Sequence, residues 1–171
     1  GVGIAQDLPR INILLTHLHL DHIQGLMFFA PCFRSDSQIT IWGPSSPEAS
    51  LEERIARYIS APLSPVEVSE LPCGISFLDT PATEWELGGA KIRAEAVTHR
   101  GPTLGYRITD ADGTTVTYIS DHEPGLGAPV ESLEPEWISG VDLAPDALSA
   151  LDRPSGQGAQ DRLEPVVTGM V

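Results

Sequence analysis

Apolar and polar residues are distributed unevenly along the 171-residue chain, and their pattern predicts where its elements lie. Residues 11–15 (INILL) form a short apolar run bounded by polar residues, which reads as a buried strand covered on both faces. The sequence THLHLDH leads off that strand, and QGLMFFA predicts a short helix stopped by Pro31. Residues 38–42 (QITIW) predict a second strand, followed by a Gly-Pro-Ser turn. Ser46-Pro47-Glu48 has the features of a helix start, with serine as N-cap, proline at the first position and an early acid. Leu51, Ile55 and Tyr58/Ile59 then recur at helical spacing, so an amphipathic helix is expected to end before Pro62 and to give these residues to the core.

From Val66 onward the pattern turns strand-like. Residues 75–78, 91–97, 104–109 and 115–119 are short runs separated by glycine, proline or aspartate, and Asp112-Gly113 between the last two marks a hairpin turn. Beyond Pro124 the chain is rich in Pro, Gly, Ser and acids, and residues 154–160 (PSGQGAQ) read as a linker or disordered stretch. No internal repeat is visible. The expected organisation is one incomplete domain over residues 1–143 and a divergent, disordered tail over 144–171.

Composition narrows the class. Hydrophobic residues make up 41% and charged residues 20%, ordinary values for a soluble globular protein. No apolar run approaches the roughly 20 residues of a membrane-spanning helix, and Gly1 opens directly on domain-like sequence with no signal peptide, so no membrane is an expected partner. Cys32 and Cys73 lie far apart and outside any C-x-x-C pattern, which suits two buried thiols in the cytoplasm better than a disulfide or a zinc motif. Ten basic residues face 24 acidic ones, for a formal charge of −14. Such a surface repels phosphate backbones and argues against a large nucleic acid, but not against a small anionic substrate at a bound cation. A homo-oligomer is left open.

The chemistry concentrates in one window, His17-Leu18-His19-Leu20-Asp21-His22. At this chain's His and Asp frequencies, H-x-H-x-D-H arises by chance somewhere with a probability on the order of 10⁻⁴, which sets it apart from a polar loop of unrelated histidines. Two histidines two residues apart, leaving a strand, project to the same side and can pinch one zinc. Asp21 and His22 follow where the chain turns into the helix, so they are expected to point elsewhere, toward a second metal. Imidazole and carboxylate suit Zn²⁺ well, and Mn²⁺ or Fe²⁺ less exclusively.

THLHLDH after an apolar strand resembles the signature of the metallo-β-lactamase superfamily, and HIQGLMFFAP is similar to its branch of ribonuclease Z-like and small phosphodiesterase members. The resemblance continues through Val97-Thr98-His99-Arg100-Gly101-Pro102, Leu104-Gly105-Tyr106-Arg107 and Tyr118-Ile119-Ser120-Asp121, and covers roughly residues 1–142. It implies an α/β fold, an incomplete αββα sandwich of two mixed sheets with outer helices. It also implies that His17, His19 and His99 hold one zinc, that Asp21 and His22 hold the other, and that Asp121 bridges. His122 is either a substrate contact or a histidine that supports the ligands from behind or is simply exposed, and Arg100 either neutralises an anionic substrate or is solvated.

Two features depart from the family pattern. Gly1-Val2-Gly3-Ile4 resembles only the tail of the turn that follows the family's first strands, and no histidine follows His122 to complete the second metal site. That site is therefore expected to be one ligand short. The implied function is a zinc-dependent hydrolase in which a metal-bridging hydroxide attacks a phosphodiester and Asp21 orients or deprotonates the nucleophile. An ester, thioester or lactam hydrolase of the same fold, or a degenerate metal-binding domain without catalysis, is the alternative.

Overall fold

The computed structural model describes residues 10–123. The expected turn remnant at residues 1–4, the linker at 154–160 and the tail at 144–171 lie outside them. Backbone contacts divide the chain into two units, with the break between Thr80 and Pro81.

The first unit is built on a three-stranded parallel sheet, β1 (Arg10–Leu14), β2 (Gln38–Gly43) and β3 (Gly74–Asp79), in the order β1-β2-β3. Ile11, Ile13 and Leu14 pair with Ile39, Ile41 and Trp42, and Ile39 and Ile41 pair in turn with Ile75 and Phe77. Isoleucines thereby line one side of the sheet, and Ile13, Ile39 and Ile41 are buried. The other side of β1 is more open than its apolar run suggests. Asn12 in its middle is exposed, and its Oδ1 accepts a hydrogen bond from Trp42 Nε1 at 3.2 Å. A polar residue at the centre of the run leaves that face half covered.

Two crossovers complete this unit. After β1 the chain forms a single α-helical turn, α1 (Leu20–Ile23), and then two 3₁₀ turns over Gln24–Phe28 and Ala30–Phe33. The helix expected over QGLMFFA is thus replaced by tighter turns, and Pro31 opens the second of them rather than ending the first. Proline suits such a place because the first amide of a helical turn has no intrahelical partner to lose. The second crossover carries α2 (Leu51–Ala56), whose N-cap is Ser50. Its hydroxyl accepts from the Glu53 amide at 3.2 Å while the Glu53 carboxylate accepts from the Ser50 amide at 2.8 Å. This reciprocal box places the helix start four residues beyond the expected cap, because Ser46 only accepts a local turn bond from the Glu48 amide. Leu51, Ile55 and Ile59 are buried in the core, with Ile55 wholly inaccessible. Gly43 lets Leu51 approach the end of β2, where a Cβ would meet Leu51 Cδ1 at 2.8 Å.

Cys32 and Cys73 are free, buried thiols of the same core, as expected. Their side chains hydrogen-bond each other, and burial pushes the Cys32 thiol up to about 12.

The second unit is an antiparallel meander, β4 (Trp85–Leu87), β5 (Ala90–Ala96), β6 (Leu104–Thr109) and β7 (Thr115–Tyr118), in sequence order. Asp112-Gly113 forms the expected turn between β6 and β7, with Gly113 at φ 90°. Strand β4 was not apparent in the apolar pattern. It joins β5 through Gly88-Gly89, both at positive φ (62° and 90°), the two-residue turn whose twist matches a hairpin. Ile92, Val97 and Tyr106 are its buried centre. Among the described residues each sheet is of one kind, parallel in the first unit and antiparallel in the second, where mixed sheets were expected. Long crossovers force the one and short hairpins the other. No helix among the described residues is long and apolar enough to cross a membrane.

Candidate metal centre

In the first unit the site grows out of the end of β1. The Leu15 amide donates to the Trp42 carbonyl at 2.8 Å, so the chain is held to the sheet up to the threshold of the motif. Thr16 and His17 are buried, and the Thr16 hydroxyl lies 3.0 Å from His17 Nδ1. With Nδ1 engaged by a hydroxyl, Nε2 is the ring atom that could serve as a metal ligand. His19 stands at the N-cap position of α1, and its carbonyl accepts from the His22 amide at 3.0 Å.

That single turn shapes the cluster. It carries the His22 ring back to 4.3 Å from the His17 ring, tilted by 46°, while the His19 ring meets His17 edge-on at 4.6 Å. Three imidazoles therefore pack together, with His17 in the middle. One helical turn closes the chain on itself within the motif, and so His22 packs beside His17. Asp21, in the first turn of α1, is exposed, and its Oδ2 lies 3.4 Å from His22 Nε2.

In the second unit His99 follows β5 and Asp121 follows β7. The Glu123 amide donates to the Thr98 carbonyl at 2.7 Å, which ties the segment after β7 to the segment after β5. His99 Nε2 is 3.4 Å from Asp121 Oδ2, and His99 Nδ1 is 2.6 Å from Glu123 Oε1. His99 thus stands between two carboxylates, one at each ring nitrogen. Burial, and secondarily the Asp121 charge, pushes the neighbouring Tyr118 phenol up. Arg100 is exposed. His122 is half-buried, and neither of its ring nitrogens finds a hydrogen-bond partner among the described residues.

The two imidazole–carboxylate distances suit a metal. Two ligand atoms 2.0–2.1 Å from one tetrahedral zinc lie about 3.3–3.4 Å apart. The Asp21–His22 and His99–Asp121 pairs both have that separation, 3.4 Å, which is long for a charge-assisted hydrogen bond. Nitrogen and carboxylate oxygen are also the donor types that zinc and its neighbours take. Sequence reasoning did not single out Thr16 or Glu123. Their signals were adjacency for Thr16, next to His17, and for Glu123 a carboxylate two residues past the predicted bridge.

Comparison with known proteins now gives the family. A profile described as a beta-lactamase superfamily domain matches residues 2–148. Ribonuclease Z of Kineococcus radiotolerans is 28% identical over 95% of this chain and 52% of its own length. Ribonuclease Z of Mycobacterium bovis is 34% identical over 72% of this chain and 47% of its own. The crystal structure of human tRNase Z, short form, has a TM-score of 0.45 and 22% identity, covering 64% of this chain and 48% of that one. The chain thus spans about half the length of these curated relatives. Both of these relatives are named ribonucleases. With its histidine motif at the end of a parallel strand and most of its length matched, the chain belongs to the beta-lactamase superfamily and has the metallo-β-lactamase fold, of which the described residues form two sheets with a few helical turns.

Proposed function

We propose that this protein is a divalent-metal-dependent hydrolase of phosphodiesters. In this reading His17, His19 and His99 would hold one metal ion, Asp21 and His22 would hold a second, and Asp121 would serve both. The first unit offers His17 and His19 and the second His99 and Asp121, nitrogen and oxygen donors of the kind that bind a divalent ion, and zinc is the ion such nitrogen-rich chemistry suits best. The observation that carries the reading is the packing of His19 and His22 onto His17 at 4.6 and 4.3 Å, in a chain of this superfamily. Three adjacent imidazoles offer nitrogen donors of the type that zinc takes.

When bound, the metals supply a nucleophile active near neutral pH and positive charge for the transition state. The chain's own residues do the rest. The Thr16 hydroxyl fixes the His17 ring, α1 holds His19 and His22 one turn apart, and the exposed Asp21 would accept a proton from attacking water. Relatives named ribonucleases make an RNA phosphodiester the leading substrate. The net charge of −14 implies that the chain contributes few backbone-tracking cations, so substrate attraction rests on the metals.

The test is hydrolysis of bis(p-nitrophenyl) phosphate and p-nitrophenyl acetate by zinc-loaded protein, each with and without a chelator. Chelator-sensitive cleavage of the phosphodiester supports the reading. Cleavage of the acetate alone assigns the protein to ester chemistry, and bound metal without any turnover marks a non-catalytic metal-binding domain.

A further inference from the structure

His99 has a second carboxylate that a metal site does not require. The Glu123 Oε1 lies 2.6 Å from Nδ1, on the opposite side of the ring from Asp121, and His99 is largely buried while Glu123 is partly so. The arrangement is built into the fold. The Glu123 amide donates to the Thr98 carbonyl at 2.7 Å, so the backbone bond that brings the end of the second unit's sheet to residue 98 also sets the carboxylate beside residue 99.

An imidazole with one ring nitrogen beside an acceptor-only carboxylate carries its proton on that nitrogen and offers a lone pair on the other. On the Asp121 side, Nε2 and Oδ2 face each other at 3.4 Å, a spacing that favours a shared cation over a direct bond. We propose that Glu123 is a positioning residue, whose carboxylate holds His99 as the Nδ1–H tautomer and aims Nε2 at the metal that His99 and Asp121 share. This rests on the metal-site reading above and adds a residue to it. Carboxylate partners behind a metal-bound histidine fix its orientation and raise its basicity, and their loss costs roughly 10–100-fold in metal affinity.

The test uses two readouts that fail independently. The first is the ¹⁵N shift pattern of His99 in the metal-free protein, for wild type, Glu123→Gln and Glu123→Leu. The second is zinc affinity by competition with a chromophoric chelator, with the cobalt(II) absorption spectrum as a report on ligand geometry. Wild type is expected to show Nδ1 protonated. Glu123→Leu is expected to lose that preference, to bind zinc roughly 10–100-fold more weakly and to change the cobalt spectrum. Glu123→Gln keeps an acceptor oxygen and is expected to recover the tautomer and most of the affinity, a rescue that a purely structural role would not give. Nε2-protonated His99 in wild type, or wild-type tautomer and affinity in a folded Glu123→Leu protein, overturns the proposal. Absence of metal binding by wild type overturns the metal site itself, while the tautomer measurement still decides what Glu123 does.

Discussion

The ring of His22 lies 4.3 Å from that of His17, although the intervening sequence had separated their roles. The cause is local. The His22 amide donates to the His19 carbonyl, and the turn so formed folds the second half of the motif over the first. If these rings belong to adjacent metals, they should be energetically coupled. His17→Ala is expected to weaken binding at both sites, by more than about 100-fold at the first, beyond the 10–100-fold typical of losing a supporting residue. His22→Ala should affect chiefly the second. Zinc titrations of the two variants check this, and equal losses in both would argue against separate sites.

Alkaline stability should report the buried thiol. The ordinary thiol value is 9.0, and burial raises Cys32 to about 12. The folded protein therefore keeps the proton that the unfolded chain releases. The stabilising contribution is complete below about pH 9 and is lost as pH rises toward 12, so stability falls with pH in that window. Cys32→Ala should flatten this slope in denaturant titrations between pH 8 and 10. In the native wild type neither thiol should react readily with a disulfide reagent until the chain unfolds.

The cap of α2 gives a test of the fold that leaves the site untouched. Ser50→Ala removes the hydroxyl that accepts from the Glu53 amide and should cost about 0.5–2 kcal/mol, read as a lower midpoint in urea. Ser46→Ala, at the residue the sequence pattern marks as the cap, should cost little. Equal costs would show that the helix start lies elsewhere in solution.

Ile55 probes the packing behind that helix. It is wholly inaccessible in the core of the first unit, and Ile55→Ala should destabilise by about 2–5 kcal/mol. A loss below 1 kcal/mol in urea unfolding would mean that the first unit is less tightly packed than described.

What was legible in the sequence follows from how local each signal is. Strands β2, β3, β5, β6 and β7 are apolar or alternating runs cut by glycine, proline or aspartate, and they lie where the pattern puts them within a residue or two. Strand β4 has only three residues, too few for alternation to register, although Gly88-Gly89 after it is a turn signal in its own right. The start of α2 lies beyond Ser46-Pro47-Glu48 because the reciprocal bonds between Ser50 and Glu53 close the box there, while Ser46 is taken up by a local turn. The ligand candidates were legible because H-x-H-x-D-H is dense and rare. Glu123 beside His99, and Cys32 beside Cys73, depend on tertiary placement that brings distant segments together, and no spacing rule encodes it.

The central claim is that six residues, His17, His19, Asp21, His22, His99 and Asp121, hold two divalent ions. Zinc titration of the chelator-stripped protein, followed by calorimetry and checked by metal analysis after gel filtration, tests it most directly. The account predicts two equivalents in two steps, the weaker belonging to the Asp21 and His22 site with its smaller ligand set, and Asp121→Ala reducing both. A wild-type protein that retains no zinc, or an Asp121→Ala variant that binds two equivalents as tightly as wild type, would contradict it.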